Sequence, residues 1–144
     1  MSLTPARAEE PLCGKWQMIY QKIGDRQDLP KPLPAIKITQ SGTALEFHYT
    51  KGLLETVYLS FKAYMDGSPA DMINDKGEKV GTARLTRKEG VYYLTLQKPN
   101  GQPEPGKLTL SQEGRILTIE SDAIVPRRGL THVVQQYSRT GMVP

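Results

Sequence analysis

In the stretch Leu53-Leu54-Glu55-Thr56-Val57-Tyr58-Leu59-Ser60-Phe61-Lys62-Ala63-Tyr64-Met65, six of the seven odd-numbered positions are apolar. That is a period of two, the repeat of an extended chain whose side chains alternate between two faces. A helix would mix the two sets on every side. The same alternation runs through Ile36–Thr39, Leu45–Tyr49, Lys107–Ser111 and Arg115–Glu120. With Lys15–Ile23, Lys79–Arg87, Val91–Lys98 and Leu130–Ser138 it gives about nine strands.

Glycine punctuates these segments. Ser41-Gly42, Lys51-Gly52, Asp66-Gly67, Lys76-Gly77, Glu89-Gly90, Asn100-Gly101, Glu113-Gly114 and Arg128-Gly129 recur along the chain, where tight hairpin turns need positive φ. Short links between strands favour antiparallel pairing in an up-and-down meander. The fold expected is therefore all-β, a meander closing into a barrel of roughly eight to ten strands. Two stretches interrupt the rhythm. Leu29-Pro30-Lys31-Pro32-Leu33-Pro34 alternates proline and predicts an extended rim loop, and Pro99 to Gly106 predicts a polar turn.

The 144 residues fit one domain, large enough to bury a core without disulfides or metals. Residues 1–13 read as a flexible arm, with Cys13 an unimportant thiol, and residues 14–141 as the barrel. A single cysteine excludes a disulfide scaffold or a zinc ribbon. No apolar run is long enough for a transmembrane helix. The net charge of +4 is dispersed: Arg84, Arg87 and Lys88 are broken by apolar or polar neighbours, and Arg127-Arg128 is a lone pair. Nucleic-acid binding wants such charge clustered on one face, so no nucleic-acid partner is expected. The first residues hold no apolar signal segment, although Ala6-Arg7-Ala8 has the small-x-small form of a cleavage site. A periplasmic or secreted setting is favoured over a cytoplasmic one.

Residues for catalysis are scarce. His48 and His132 are far apart in sequence, and His48 falls opposite the face of Leu45, Phe47 and Tyr49. Zinc asks for at least three ligands. Asp66, Asp71, Asn74 and Asp75 lack the register of a calcium loop and read as turn chemistry. No cofactor or metal is expected, and a cofactorless enzyme using Tyr and Arg is the least favoured class.

Gly14-Lys15-Trp16 opens the first strand and Tyr137-Ser138-Arg139 ends the last. In a closed meander these strands are neighbours, so Trp16 and Arg139 can meet at one end of the barrel as a closure pair with the guanidinium over the indole; the alternative is Trp16 as the largest core residue and Arg139 as an exposed terminal charge. This Gly-x-Trp entry and closing Tyr-x-Arg resemble the lipocalin and fatty-acid-binding barrels. The Ser111-Gln112-Glu113-Gly114-Arg115-Ile116-Leu117-Thr118-Ile119 hairpin and the Tyr64-Met65-Asp66-Gly67 turn are similar to those of small bacterial lipocalin-like (calycin-type) barrels. The resemblance spans Gly14 to Gly141. It departs in lacking disulfides and any helix pair after the first strand. What it implies is a non-catalytic binding barrel for a small apolar or amphipathic ligand. The inward candidates are Met18, Tyr20, Phe47, Tyr49, Val57, Phe61 and Tyr93. The alternative is a filled barrel that serves the cell envelope as an interaction module, using its surface or the Pro30–Pro34 rim.

Overall fold

Alternating segments become strands throughout the computed structural model, which describes residues 10–140 except 53 and 112. In chain order the strands are β1 (Gly14–Ile23), β2 (Arg26–Gln27), β3 (Pro34–Ser41), β4 (Ala44–Lys51), β5 (Thr56–Tyr64) and β6 (Ala70–Asn74). They continue with β7 (Lys79–Lys88), β8 (Val91–Gln97), β9 (Glu104–Leu110), β10 (Ile116–Val125) and β11 (Gly129–Thr140). No helix occurs among the described residues. From β3 onward each strand pairs antiparallel with its predecessor. β1 pairs with β3 on one side and with β11 on the other. Ten strands thus close into a barrel, and β2 only extends the end of β1 as a short ribbon.

The strand expected over 53–65 starts later, at Thr56: Leu54 and Glu55 form a turn, with Glu55 at φ 51°. Leu53, like Gln112, Gly141 and residues 1–9 of the expected arm, lies outside the described residues. β6 replaces what composition suggested was all turn. Its tail does turn: the Asn74 side-chain oxygen accepts the backbone N–H groups of Lys76 and Glu78. β6 is also weakly seated, meeting β5 only at Leu59–Asn74 and Ser60–Ile73.

Residues 10–13 are not an arm. Leu12 and Cys13 are buried, and they plug the barrel where β1 begins. The Glu10 amide donates to Gln40 Oε1 at 2.8 Å, and its carboxylate accepts from the Tyr92 hydroxyl at 2.6 Å and from Arg87. Burial first, and then this bond to Glu10, push the Tyr92 hydroxyl above its ordinary pKa.

Trp16 and Arg139 sit opposite one another in the β1–β11 register, and they meet. The guanidinium carbon lies 4.2 Å from the indole centroid. Arg139 then uses its fork fully, donating from Nη1 to Cys13 O (2.6 Å), from Nη2 to Pro11 O (2.8 Å) and from Nε to Gly114 O (3.0 Å). Trp16 is wholly buried and its Nε1–H donates to Leu12 O at 3.0 Å. Glycine is required at Gly14 because a Cβ there would fall on Arg139 Nη1, with φ at 147°. One cluster therefore pins the first strand, the last strand, the plug and the β9–β10 turn.

Candidate functional site: a cavity in the open half of the barrel

Residue size decides how far the barrel is filled. In the half nearest Trp16 the interior is packed solid by Phe47, Phe61, Leu85, Tyr92 and Leu117, all buried. Phe47 and Phe61 stack at 4.8 Å between centroids with the rings tilted by 20°, and Phe47 stacks on Tyr49 at 6.5 Å with a tilt of 18°. In the other half the inward positions are smaller or more polar, including Gln21, Gly106, Ser121, Ala123 and Gln135, and a cavity of about 410 Å³ remains. That volume falls within the range usual for small-molecule sites.

The cavity floor and walls are apolar: Met18, Leu59, Leu94, Leu96, Leu108 and Ile119. Three phenols, Tyr49, Tyr58 and Tyr137, project among them. The Tyr49 ring lies 6.0 Å from Phe61 and 6.3 Å from Tyr58, which continues the aromatic row from the packed floor to the mouth. A glutamine relay supports one side. Tyr137 donates to Gln135 Oε1 (3.3 Å), Gln135 Nε2 donates to Gln21 Oε1 (2.7 Å), and Gln21 Nε2 donates to Asp28 O (3.0 Å). The mouth is framed by Pro30 and Pro34 from the proline-rich loop, with Lys51 ending β4 and Glu104 beginning β9. The Lys51 ammonium rests 4.5 Å from the Tyr58 ring centroid. Burial raises the hydroxyl pKa of all three phenols. Tyr58 adds to the effect on Tyr49, and both Tyr49 and Tyr58 add to it on Tyr137.

Of the inward candidates, Met18 and Tyr49 line this cavity, while Phe47 and Phe61 form its floor. The other three are corrected by register. Between Met18 and Tyr20 the β1–β11 ladder slips by one residue, so Gln21 turns inward and Tyr20 outward. A second slip opposite Tyr49 and Thr50 leaves Tyr58 as an extra residue in β5. Tyr58 and Leu59 both face the cavity, and Val57 turns to the outer wall beside Lys15, His48 and Glu55. In β8 the neighbouring tyrosines exchange roles: Tyr93 is 41% exposed, and Tyr92 is 1% exposed. Val91-Tyr92-Tyr93-Leu94 is apolar throughout, so alternation offers no choice between them. Gln21, Tyr58, Gln135 and Tyr137 were not found from sequence. Only the bulges and the final strand's register bring them together.

The histidines lie elsewhere. His48 is on the outer wall opposite Lys37. His132 lies on the exposed side of the β10–β11 ribbon, with Nδ1 3.0 Å from an Asp122 oxygen. An outer hollow of about 520 Å³ between Lys31–Leu33 and Gly52 is bordered by the Lys15–Glu55 ion pair.

No family model matches the chain, and no curated protein sequence matches it. Solved structures do. A fatty-acid-binding protein 1 of Echinococcus granulosus superposes with a TM-score of 0.64 at 11% identity, over 92% of this chain and 99% of its own. The ileal bile acid-binding protein of zebrafish, complexed with cholic acid, gives 0.63 at 18% identity, over 90% and 99%. This is the fatty-acid-binding-protein fold. The fluorescent protein UnaG shares it, at 0.63 and 13% identity over 91% of this chain and 98% of that one. In this chain's version of the fatty-acid-binding-protein fold, β2 and the proline-rich loop connect β1 to β3 at the cavity mouth.

Proposed function

We propose that this protein is a non-catalytic binder that holds one small apolar or amphipathic molecule inside the barrel. The observation that carries the reading is the cavity itself: about 410 Å³, apolar on its walls, and closed below by a packed aromatic floor. Two structural neighbours are named for binding fatty acids or bile acids, which supports the same reading. The similarity to small bacterial lipocalin-like barrels, and the periplasmic or secreted setting favoured above, are proposed with it.

Met18, Tyr49, Tyr58 and Tyr137 would touch the ligand, with Phe47 and Phe61 beneath it. Binding would remove apolar wall and ligand surface from water at roughly 25 cal/mol per Å², which is the main driving force available in such a site. Diphenylhexatriene, a hydrocarbon dye bright only in apolar surroundings, should bind with one saturable site. Ala123→Trp places an indole at the mouth and should weaken that binding at least about tenfold, a loss of about 1.4 kcal/mol, while the far-ultraviolet circular dichroism stays that of the barrel. Unsaturable uptake, or equal affinity in the blocked variant, would place the dye outside the barrel and overturn the reading.

A further inference from the structure

The way the barrel is filled sets the size of what it can hold, an inference that rests on the binding function proposed above. On β4, β5, β8 and β10 the wall of the cavity includes Tyr49, Leu59, Leu94 and Ile119. Two residues along each strand toward the packed half, the next inward side chains are Phe47, Phe61, Tyr92 and Leu117, none more than 4% exposed. Phe47 and Phe61 stand opposite one another in the β4–β5 register, next to the Tyr49–Leu59 pair, and the Phe61 ring lies 6.0 Å from that of Tyr49. Room begins only beyond this layer, where β9 and β10 turn Gly106, Ser121 and Ala123 inward.

Benzene occupies an apolar protein cavity of about 150 Å³, or about 25 Å³ per carbon. On that scale a cavity of about 410 Å³ encloses about 16 carbon-sized atoms. We propose that the barrel selects its ligand by size, enclosing a molecule of about 14–16 non-hydrogen atoms, and that Phe47 and Phe61 fix this limit. A shorter molecule leaves part of the wall without partner atoms and forgoes those contacts. A longer one cannot advance past the close-packed phenyl pair, so its surplus stays in the mouth between Pro30 and Pro34, in contact with water, where it adds little. The favoured ligand is therefore a medium-length chain or a compact ring system rather than a long-chain lipid.

The test is a series of straight-chain alkanols of about 8 to 18 carbons, each titrated against bound diphenylhexatriene below its solubility limit. Affinity should rise about three- to fourfold with each added carbon up to about 14 carbons, and less than about 1.5-fold per carbon thereafter. Phe61→Ala takes a phenyl ring from the floor, and the surrounding structure closes such a hole only in part, so the rise should continue through about 17 carbons. Ser121→Phe adds a ring to the wall and leaves the floor intact. It should stop the rise at about 10 carbons, and it carries the test if Phe61→Ala does not fold. A rise that runs unbroken to about 18 carbons in the unaltered protein would overturn the proposal. So would a break at the same length in every folded variant, the signature of a solubility limit rather than of the cavity. Both results leave the binding function standing. Failure of the dye and of every alkanol to bind refutes that function and this inference with it.

Discussion

Trp16→Ala should destabilise the protein by about 3–5 kcal/mol, the range for deleting a large buried aromatic. The reason lies in the position of the residue as well as its size. The indole is wholly buried, carries the Arg139 guanidinium on its face and donates to Leu12 O, so its loss opens a cavity and releases the plug over residues 10–13 together. Arg139→Lys keeps the charge and loses the fork that reaches Cys13, Pro11 and Gly114 at once. It should cost roughly 2 kcal/mol, since a lysine ammonium cannot satisfy three diverging carbonyls in that geometry. Urea denaturation of both variants, with an unchanged slope, measures these values. A loss below about 1 kcal/mol for Trp16→Ala would mean that the barrel is held shut elsewhere.

The second large effect is alkaline. Tyr49 and Tyr137 have hydroxyl pKa values raised by burial above the value of about 10 they take in the unfolded chain. Below about pH 10 both states keep these protons, and stability does not depend on them. Above it the unfolded chain releases protons that the folded barrel retains, so stability falls as pH rises toward the folded pKa values. Each phenol contributes a slope of about 1.4 kcal/mol per pH unit in that window. Stability measured by urea midpoints from about pH 8 to 11 should therefore bend downward near 10, and Tyr49→Phe should remove one phenol's share of the slope. At neutral pH the same variant should be close to neutral, because that hydroxyl makes no hydrogen bond to the protein. A profile of equal slope in wild type and Tyr49→Phe would show that Tyr49 ionises freely in the folded state.

How these effects relate to sequence depends on the kind of information each needs. Period-two alternation and glycine turns are local, so Leu45–Tyr49, Arg115–Glu120 and their neighbours identify strands without any knowledge of partners. The meeting of Trp16 and Arg139 needs only one further step, the closure of a meander on itself. The cavity is less legible because it depends on register. One inserted residue at Ile19 and another at Tyr58 reverse the faces of everything beyond them, which moves Tyr20 and Val57 outside and brings Gln21 and Tyr58 in. Nothing in the composition of β1 or β5 marks those insertions. Tyr92 and Tyr93 show the same limit from another side, since two adjacent aromatics fit either face equally well. Glu10–Cys13 escaped notice because a plug lacks periodicity, although the apolar Leu12 between Pro11 and Cys13 is its chemical trace.

The open half of the barrel is the proposed binding site, and methyl NMR locates a bound molecule directly. On titration with dodecanol, the methyl signals of Met18, Leu94, Leu108 and Ile119 should shift together and saturate at one equivalent, while outward-facing Val57 stays in place. Saturating shifts confined to Val57 and the outer wall, with the four interior methyls unmoved, would contradict it.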